Sequence, residues 1–372
     1  MQSNKKLHLV TFNIPYPPNY GGIIDVFYKI KQLHQLNIDI YLHCFEYDRP
    51  QQKELEKYCK KVFYYQRSSK IKSLFSQIPF IVKSRENCFL TDNLKKINAP
   101  IIFEGLHTTF PLLKTTFKAN TFVRVHNIEH NYFKGLAKSE SNLFKKIFFL
   151  LEASKLKRYQ FILKNVSGIF SISPSEQKYF LTHFGKKSTY IPAFHHDKQI
   201  KIHKNNNNYI LYHGDLRISD NIKAAKFLIN VYKNSPYQLV IASSDFSSIE
   251  KLADKHQNII FSKINNQQEL ENLFKKAHVN TLITFQKTGI KLKLLNALYQ
   301  GKFIIGNSEM ILDTGLETLC ELANTKEEIL EKTNYLFTKE FSEIEIDNRR
   351  DILKSFNPTE SAKKMIAVIF KQ

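Results

Sequence analysis

Short apolar runs alternate with helically spaced stretches along the whole chain. Runs of strand character lie at residues 7–12, 38–45, 62–65, 101–104, 122–126, 168–172 and 189–191, and stretches such as 23–35 and 175–184 between them repeat their apolar positions at helical spacing. This βαβ rhythm predicts a parallel sheet covered on both faces. Residues 195–208 break it with a polar, Asn-rich stretch that ends in Asn205–Asn208. The rhythm restarts at 209–212, 238–242, 259–261, 279–284 and 303–305, and the final stretch 358–370 reads as a helix with Ala362, Met365, Ile366 and Ile369 on one face. The expectation is two doubly wound α/β domains, 1–200 and 201–355, followed by a terminal helical segment, 356–372.

The length of 372 residues suits two ordinary domains, and 42% hydrophobic with 24% charged residues is a globular composition. Charge changes the picture. Lys plus Arg total 55 against 34 Asp plus Glu, a formal +21, which suits nucleic acid, an anionic membrane face or phosphorylated substrates. With no helix-turn-helix, zinc spacing or RNP-like strand, nucleic acid has only the net charge in its favour and is not expected as a partner. Abundant Lys, Asn, Ile and Phe also fit compositional drift. Cys44, Cys59, Cys88 and Cys320 are far apart with no CxxC, which argues for reduced, mostly buried thiols. The apolar run near the N-terminus is too short for a signal peptide, and no segment offers ~20 apolar residues. A cytoplasmic chain follows, placed at most at the inner face of the membrane.

Residues 142–166 read NLFKKIFFLLEASKLKRYQFILKNV, one long helix with five lysines and an arginine. Its apolar positions recur at i, i+3 and i+4, which favours a core-facing amphipathic helix; the other reading is a basic helix resting on an anionic bilayer. The run 74–82 (LFSQIPFIV) is a second, weaker candidate for surface insertion.

Open parallel sheets bind ligands beyond the carboxyl ends of their strands. Gly21 and Gly22 follow the first strand and a Pro-rich loop, ahead of a helix, where backbone amides can approach a ligand. His107 follows the fourth strand. Arg124, His126, Asn127, Glu129 and His130 crowd around the end of the next, with Asn127 the expected helix cap and the rest polar beyond what capping needs. Gly214 and Arg217 open the second domain, where a glycine admits a phosphate or ribose and an arginine neutralises a diphosphate. In Thr288-Gly289-Ile290-Lys291-Leu292-Lys293 a helix begins near Gly289, and Lys291 and Lys293 fall in its first turn. Cations are unfavourable there unless an anion sits beside them.

In this order, PYPPNYGG, RVHNIEHNYF, IFSISPSEQKYF, ILYHGDLRISDNIKAA and TGIKLKLLNALYQGKFIIGN resemble the GT-B-fold nucleotide-sugar glycosyltransferases, and among them the retaining family 4. The resemblance implies two Rossmann-like domains facing across a cleft, with a nucleotide diphospho-sugar on the second and a glycan or lipid-linked glycan acceptor on the first. It also implies a terminal helix returning to the first domain, and no cofactor or divalent metal. Lys291, Lys293, Arg217 and the Gly289 amide would stabilise the leaving diphosphate, with Thr288 and Ile290 in the same donor loop. His107 would contact the donor sugar; Gly21, Gly22, Arg124, His126, Asn127 and Glu129 would orient the substrates. Two departures stand out: Asn296 occupies the place of the family's ribose-binding Glu, and Asp215 follows Gly214 where Arg is usual, leaving Arg217 or Lys223 to supply the charge. The expected reaction is transfer of a hexose to a bacterial surface glycan with retention. The alternatives are a GT-B-fold nucleotide-sugar epimerase, whose elimination chemistry would need Glu104 and Glu129, and a non-catalytic, membrane-peripheral partner.

Overall fold

The computed structural model describes residues 4–19, 21–68, 76–140, 142–196, 199–200, 209–250, 256–286 and 291–371. The chain divides into two compact units, one from residues 1–196 and 355–372, the other from 197–287 and 291–354.

In unit 1, strands β1 (Lys5–Thr11), β2 (Ile38–Glu46), β3 (Lys61–Gln66), β4 (Ile101–Glu104), β5 (Thr121–Val125), β6 (Gly168–Ser171) and β7 (Ser188–Tyr190) form a sheet in the order β3-β2-β1-β4-β5-β6-β7. Every pairing is parallel. The inner strands are buried on both faces, as their near-continuous apolar runs predict. Helix α1 (Gly21–Gln35) follows β1; α2 (Glu129–Ser139) and α3 (Leu143–Tyr159) follow β5, and α4 (Pro174–Phe184) follows β6. Ser173 caps α4 by accepting from the Glu176 amide, and Pro174 takes the first helical position, where its missing N–H costs nothing.

In unit 2, β8 (Tyr209–His213), β9 (Gln238–Ser243), β10 (Ile259–Lys263), β11 (Ala277–Leu282), β12 (Phe303–Gly306) and β13 (Glu321–Leu322) are arranged β10-β9-β8-β11-β12-β13, again all parallel. The two-residue edge strand β13 carries too little pattern to be read from sequence. Helix α5 (Ser219–Tyr232) follows β8, and α6 (Leu292–Gln300) lies between β11 and β12. The terminal helix α7 (Pro358–Ile369) packs against α1 in unit 1. Ala362, Met365 and Ile369 are buried there and Ile366 is half-buried, while the Thr359 hydroxyl donates to Gln32 at 2.9 Å.

Both sheets reverse direction beside their first strand, at β1/β4 in unit 1 and at β8/β11 in unit 2. A doubly wound sheet opens its ligand crevice at such a switch point. The loops after these four strands therefore define where each unit can bind.

Three sequence expectations change. Residues 142–166 form α3 and then a separate 3-10 segment, Gln160–Asn165. Nor is α3 a core-facing amphipathic helix: Ala153, Leu156 and Glu152 point inward, but Leu143, Phe144, Ile147, Leu150 and Leu151 are exposed. Apolar residues occupy both of its sides, so the i, i+3, i+4 pattern fits more than one face. Of the thiols, Cys44 is buried and Cys59 and Cys320 half-buried, but Cys88 is exposed; all four are free.

Candidate functional site

At the switch point of unit 1, charge is concentrated and almost wholly satisfied. Lys29, on α1, lies 3.0 Å from Asp25 and 2.8 Å from Glu104 at the end of β4. The Arg124 guanidinium, on β5, donates to Asp25 at 2.8 Å and to the carbonyls of Ile191 and Pro192 at 2.6 and 3.0 Å. The second carboxylate oxygen of Glu104 bonds His126 at 2.8 Å. Burial alone would raise both carboxyls. For Asp25 the Arg124 and Lys29 charges lead the effects that oppose burial and hold it well below the usual carboxylate range; for Glu104 the Lys29 charge, with the His126 hydrogen bond and charge, brings it below its ordinary value. Asp25, Glu104 and His126 have the spacing of metal ligands, but the Lys29 ammonium bridges the two carboxylates and, with Arg124, neutralises them, so this donor set does not fit a metal ion. The expected role of Arg124 is corrected here: it is fully buried and its donors hold β5 to α1 and the Ile191–Pro192 carbonyls, leaving no edge for a ligand. Glu104 is likewise committed, which removes one of the two carboxylates an epimerase would need.

Beside this network sits a second, unsatisfied pair. Gly105 turns the chain after β4 with φ +69°, and a Cβ on it would meet His107 Nδ1 at 2.7 Å. Glycine there both permits the left-handed turn and makes room for the imidazole. His107 Nδ1 lies 3.9 Å from Glu129 Oε1, and both atoms are buried without a hydrogen-bond partner among the described residues. Burial, followed by the Arg85, His126 and Arg67 charges, pulls His107 well below the ordinary imidazole range. Burial pushes the Glu129 carboxyl up to about 8, with the Glu176 charge adding to it and a hydrogen bond from Asn127 opposing it. At neutral pH the pair is an uncharged imidazole facing a protonated carboxyl. Between them they offer a donor and an acceptor of the kind that reads sugar hydroxyls. Asn127 does not cap α2: Ile128 is the N-cap residue, without a side-chain cap, and Glu129 is the first helical residue. Phe12 packs tilted against His107 and edge-on to His126, each with centroids 5.6 Å apart, and walls this corner. Gly21 and Gly22 are the first two residues of α1; His130 is buried and stacks obliquely near Tyr179.

The switch point of unit 2 is built around one amine. Lys293 is the second residue of α6 and its ammonium donates to Asn221 Oδ1 at 2.6 Å. It lies 5.2 Å from the centroid of the Tyr212 ring. A Cβ on Gly214 would stand 2.7 Å from this amine and would push it from its place, so glycine leaves the amine room beside the end of β8. Among the described residues no carboxylate is in ion-pair contact with Lys293. Burial pulls its pKa down to about 8, against the raising effect of Asp220 and the further lowering by Lys291. His213, buried with both ring nitrogens unpartnered among the described residues, is brought to about 3 by burial and then by the Lys293 charge. Lys291 is the N-cap residue of α6 rather than a residue of its first turn, and donates to the Gln286 carbonyl at 2.7 Å. Asn296 is half-buried on the same helix. Thr288, Gly289 and Ile290 lie outside the described residues.

Arg217, expected as the substitute charge, is exposed and grips Asp215 with contacts of 2.9 and 2.7 Å. Lys223, the other candidate, sits 3.8 Å over the Phe285 ring. Two residues that position this corner carry no motif of their own. Asn221 holds Lys293 and the Asp215 carbonyl at once, and Asp220 accepts from the Thr284 hydroxyl at 2.8 Å and the Phe285 amide at 3.1 Å. Their signal was the Ser219-Asp220-Asn221 run at the start of α5, which reads as ordinary N-terminal helix polarity.

Two successive doubly wound units of parallel strands, with the chain's last helix returned to the first, define the GT-B fold, and glycosyltransferases of that fold are among the solved structures similar to this chain. The trehalose-6-phosphate synthase OtsA matches with a TM-score of 0.67 at 12% identity, over 99% of each chain. Anabaena Alr3699/HepE, solved in complex with UDP and glucose, matches at 0.66 and 11% identity over 99% of this chain and 100% of that one. A glycosyltransferase from Rickettsia africae matches at 0.64 and 11% identity, over 99% and 98%. In sequence the chain is 26% identical over 401 residues, 99% of both chains, to an uncharacterized 44.6 kDa protein in the cps region of Klebsiella pneumoniae. No family model matches.

Proposed function

We propose that this protein is a retaining glycosyltransferase of family 4 that moves a hexose from a nucleotide diphospho-sugar to a glycan or lipid-linked glycan acceptor in bacterial surface polysaccharide synthesis. The observation that carries the reading is the Lys293 amine, held by Asn221 over Gly214 at the switch point of unit 2 and, among the described residues, matched by no carboxylate in contact. Breaking the bond between sugar and diphosphate builds negative charge on the β-phosphate and positive charge on the ring. A preorganised ammonium in a partly dehydrated corner stabilises the first, and electrostatic terms of this kind are usually the largest in catalysis. Lys291, at the N-terminus of the same helix, adds a second positive charge, so the leaving group needs no metal. Unit 1 supplies the sugar-reading corner of His107 and Glu129. The bound nucleotide of HepE and the cps-region relative support the same assignment.

A thermal-shift panel with UDP, GDP, ADP, CMP and dTDP tests it. A ligand at ~100 times its Kd stabilises by about 2.7 kcal/mol, so one nucleoside diphosphate should raise the Tm clearly over the others. Lys293→Ala should abolish that shift and reduce turnover by roughly 10²–10³, the cost of removing one preorganised charge partner. A full shift in the variant would remove Lys293 from the donor site. The non-catalytic reading is favoured by one feature, the absence of a carboxylate at Asn296; no shift with any of the five nucleotides in the parent chain would establish it instead.

A further inference from the structure

The exposed apolar residues of α3 are unusual in extent. Phe144 is 85% exposed, Leu143 66% and Leu151 58%, and Ile147 and Leu150 are exposed beside them. Positions 144, 147 and 151 are spaced i, i+3, i+7 and lie on one face of the helix. Continuing along it, 155 and 158 bring Lys155 and Arg158 to a pocket of about 530 Å³, which Lys114 also lines, with Leu113, Tyr159 and Ile162 as its apolar wall. Residues 143–165 contain six cations and a single carboxylate, Glu152. That carboxylate is buried, accepting from the Phe80 amide at 2.6 Å and pairing with Lys155 at 2.9 Å. The outer face of α3 therefore presents apolar side chains and positive charge with no exposed acid among its own residues.

We propose that α3 is a docking surface for an anionic phospholipid bilayer, with Leu143, Phe144, Ile147 and Leu151 entering the acyl boundary and Lys114 and Arg158 gathering phosphate headgroups at the adjoining pocket. Apolar insertion and headgroup attraction act together in interfacial helices, and a basic cluster on the water side supplies the charge such surfaces need. No described helix is long and apolar enough to cross a membrane, so binding is to the surface and reversible. The inference rests on unit 1 alone and is independent of the glycosyl-transfer reading.

Flotation of the full chain with vesicles of phosphatidylcholine, with and without phosphatidylglycerol, tests it. The protein should float with the anionic vesicles, stay behind with phosphatidylcholine alone, and lose binding as salt rises, because surface charges are screened. Phe144→Ser with Leu151→Ser should lower the partition by more than about tenfold, and Lys114→Gln with Arg158→Gln should weaken binding and flatten the preference for phosphatidylglycerol. These side chains are exposed or line an open pocket, and far-ultraviolet circular dichroism checks that each variant keeps its fold. Failure of the parent chain to float with anionic vesicles at low salt overturns the proposal, as does flotation that the Phe144/Leu151 pair leaves unchanged. A parent chain that sediments as a dimer, dissolved by that same pair, also overturns it and gives the face to a second copy.

Discussion

Unit 1 places Lys29 and Arg124 in direct contact with Asp25, and Lys29 with Glu104 as well, so two buried cations meet two buried carboxylates. Unit 2, at the equivalent switch point, gives Lys293 an amide oxygen and an aromatic face instead. The two corners have the same topology and opposite electrostatics. A buried charge without a counter-charge is costly unless its pKa moves; in unit 1 pairing has lowered both carboxyls, and in unit 2 the amine itself has yielded, to about 8. The pairing in unit 1 is therefore structural, whereas unit 2 holds a cation with no carboxylate in contact among the described residues, which an arriving anion would stabilise.

The largest effect that would break this contrast is the loss of Arg124. Removing one partner of a buried ion pair leaves the other uncompensated and costs about 3–5 kcal/mol. Arg124→Ala should therefore melt roughly ten degrees or more below the parent chain, while the Tm increment on adding nucleotide survives, since unit 2 is untouched. Thermal melts with and without nucleotide decide it. A loss under about 1 kcal/mol would mean that Arg124 is not structural, and would reopen its role as a substrate contact.

Glu129 gives the next effect, and it depends on pH. Its folded pKa is raised to about 8 from an ordinary value of 4.5. Between those values the folded chain keeps a proton that the unfolded chain has released. Stability from this group is thus full below about pH 4.5 and is lost as pH rises through 8. Glu129→Gln keeps the shape and removes the titration. It should match the parent near pH 5 and exceed it by about 2–4 kcal/mol near pH 8.5. Denaturant midpoints across that range measure it, and a variant with the parent's slope would show that the carboxyl is ionised in the folded state at neutral pH.

How much of this was legible in sequence follows from how far each signal reaches along the chain. Strand runs such as 101–104 are local, and the structure returns β4 over the same residues. Lys293 stands out as a candidate in sequence because a cation in a helix's first turn is anomalous within six residues of chain. Arg124 was misread because its partner Asp25 lies 99 positions away, and nothing near Arg124 announces a pair. Asn221 was missed for the same reason, being 72 positions from Lys293. The outward face of α3 was misjudged differently: with Phe and Leu on both sides, periodicity cannot choose which side meets the core.

Arg217 sharpens the contrast from its weak end. Its position two residues after Asp215 lets the two close a fork on the surface, and the Asp215 hydrogen bonds and charge raise the guanidinium's pKa. An exposed pair of this kind contributes ~0–1 kcal/mol. An arginine so held has its recognition edge turned to its neighbour instead of to a diphosphate. Arg217→Ala should leave Tm within about a degree or two and change the nucleoside diphosphate Kd by less than about threefold, while raising the salt sensitivity of binding little. Titration of the variant measures this directly. A loss near that of Lys293→Ala would mean that Arg217 exchanges Asp215 for the ligand, so that unit 2 would hold its anion with a surface arginine as well as the two lysines.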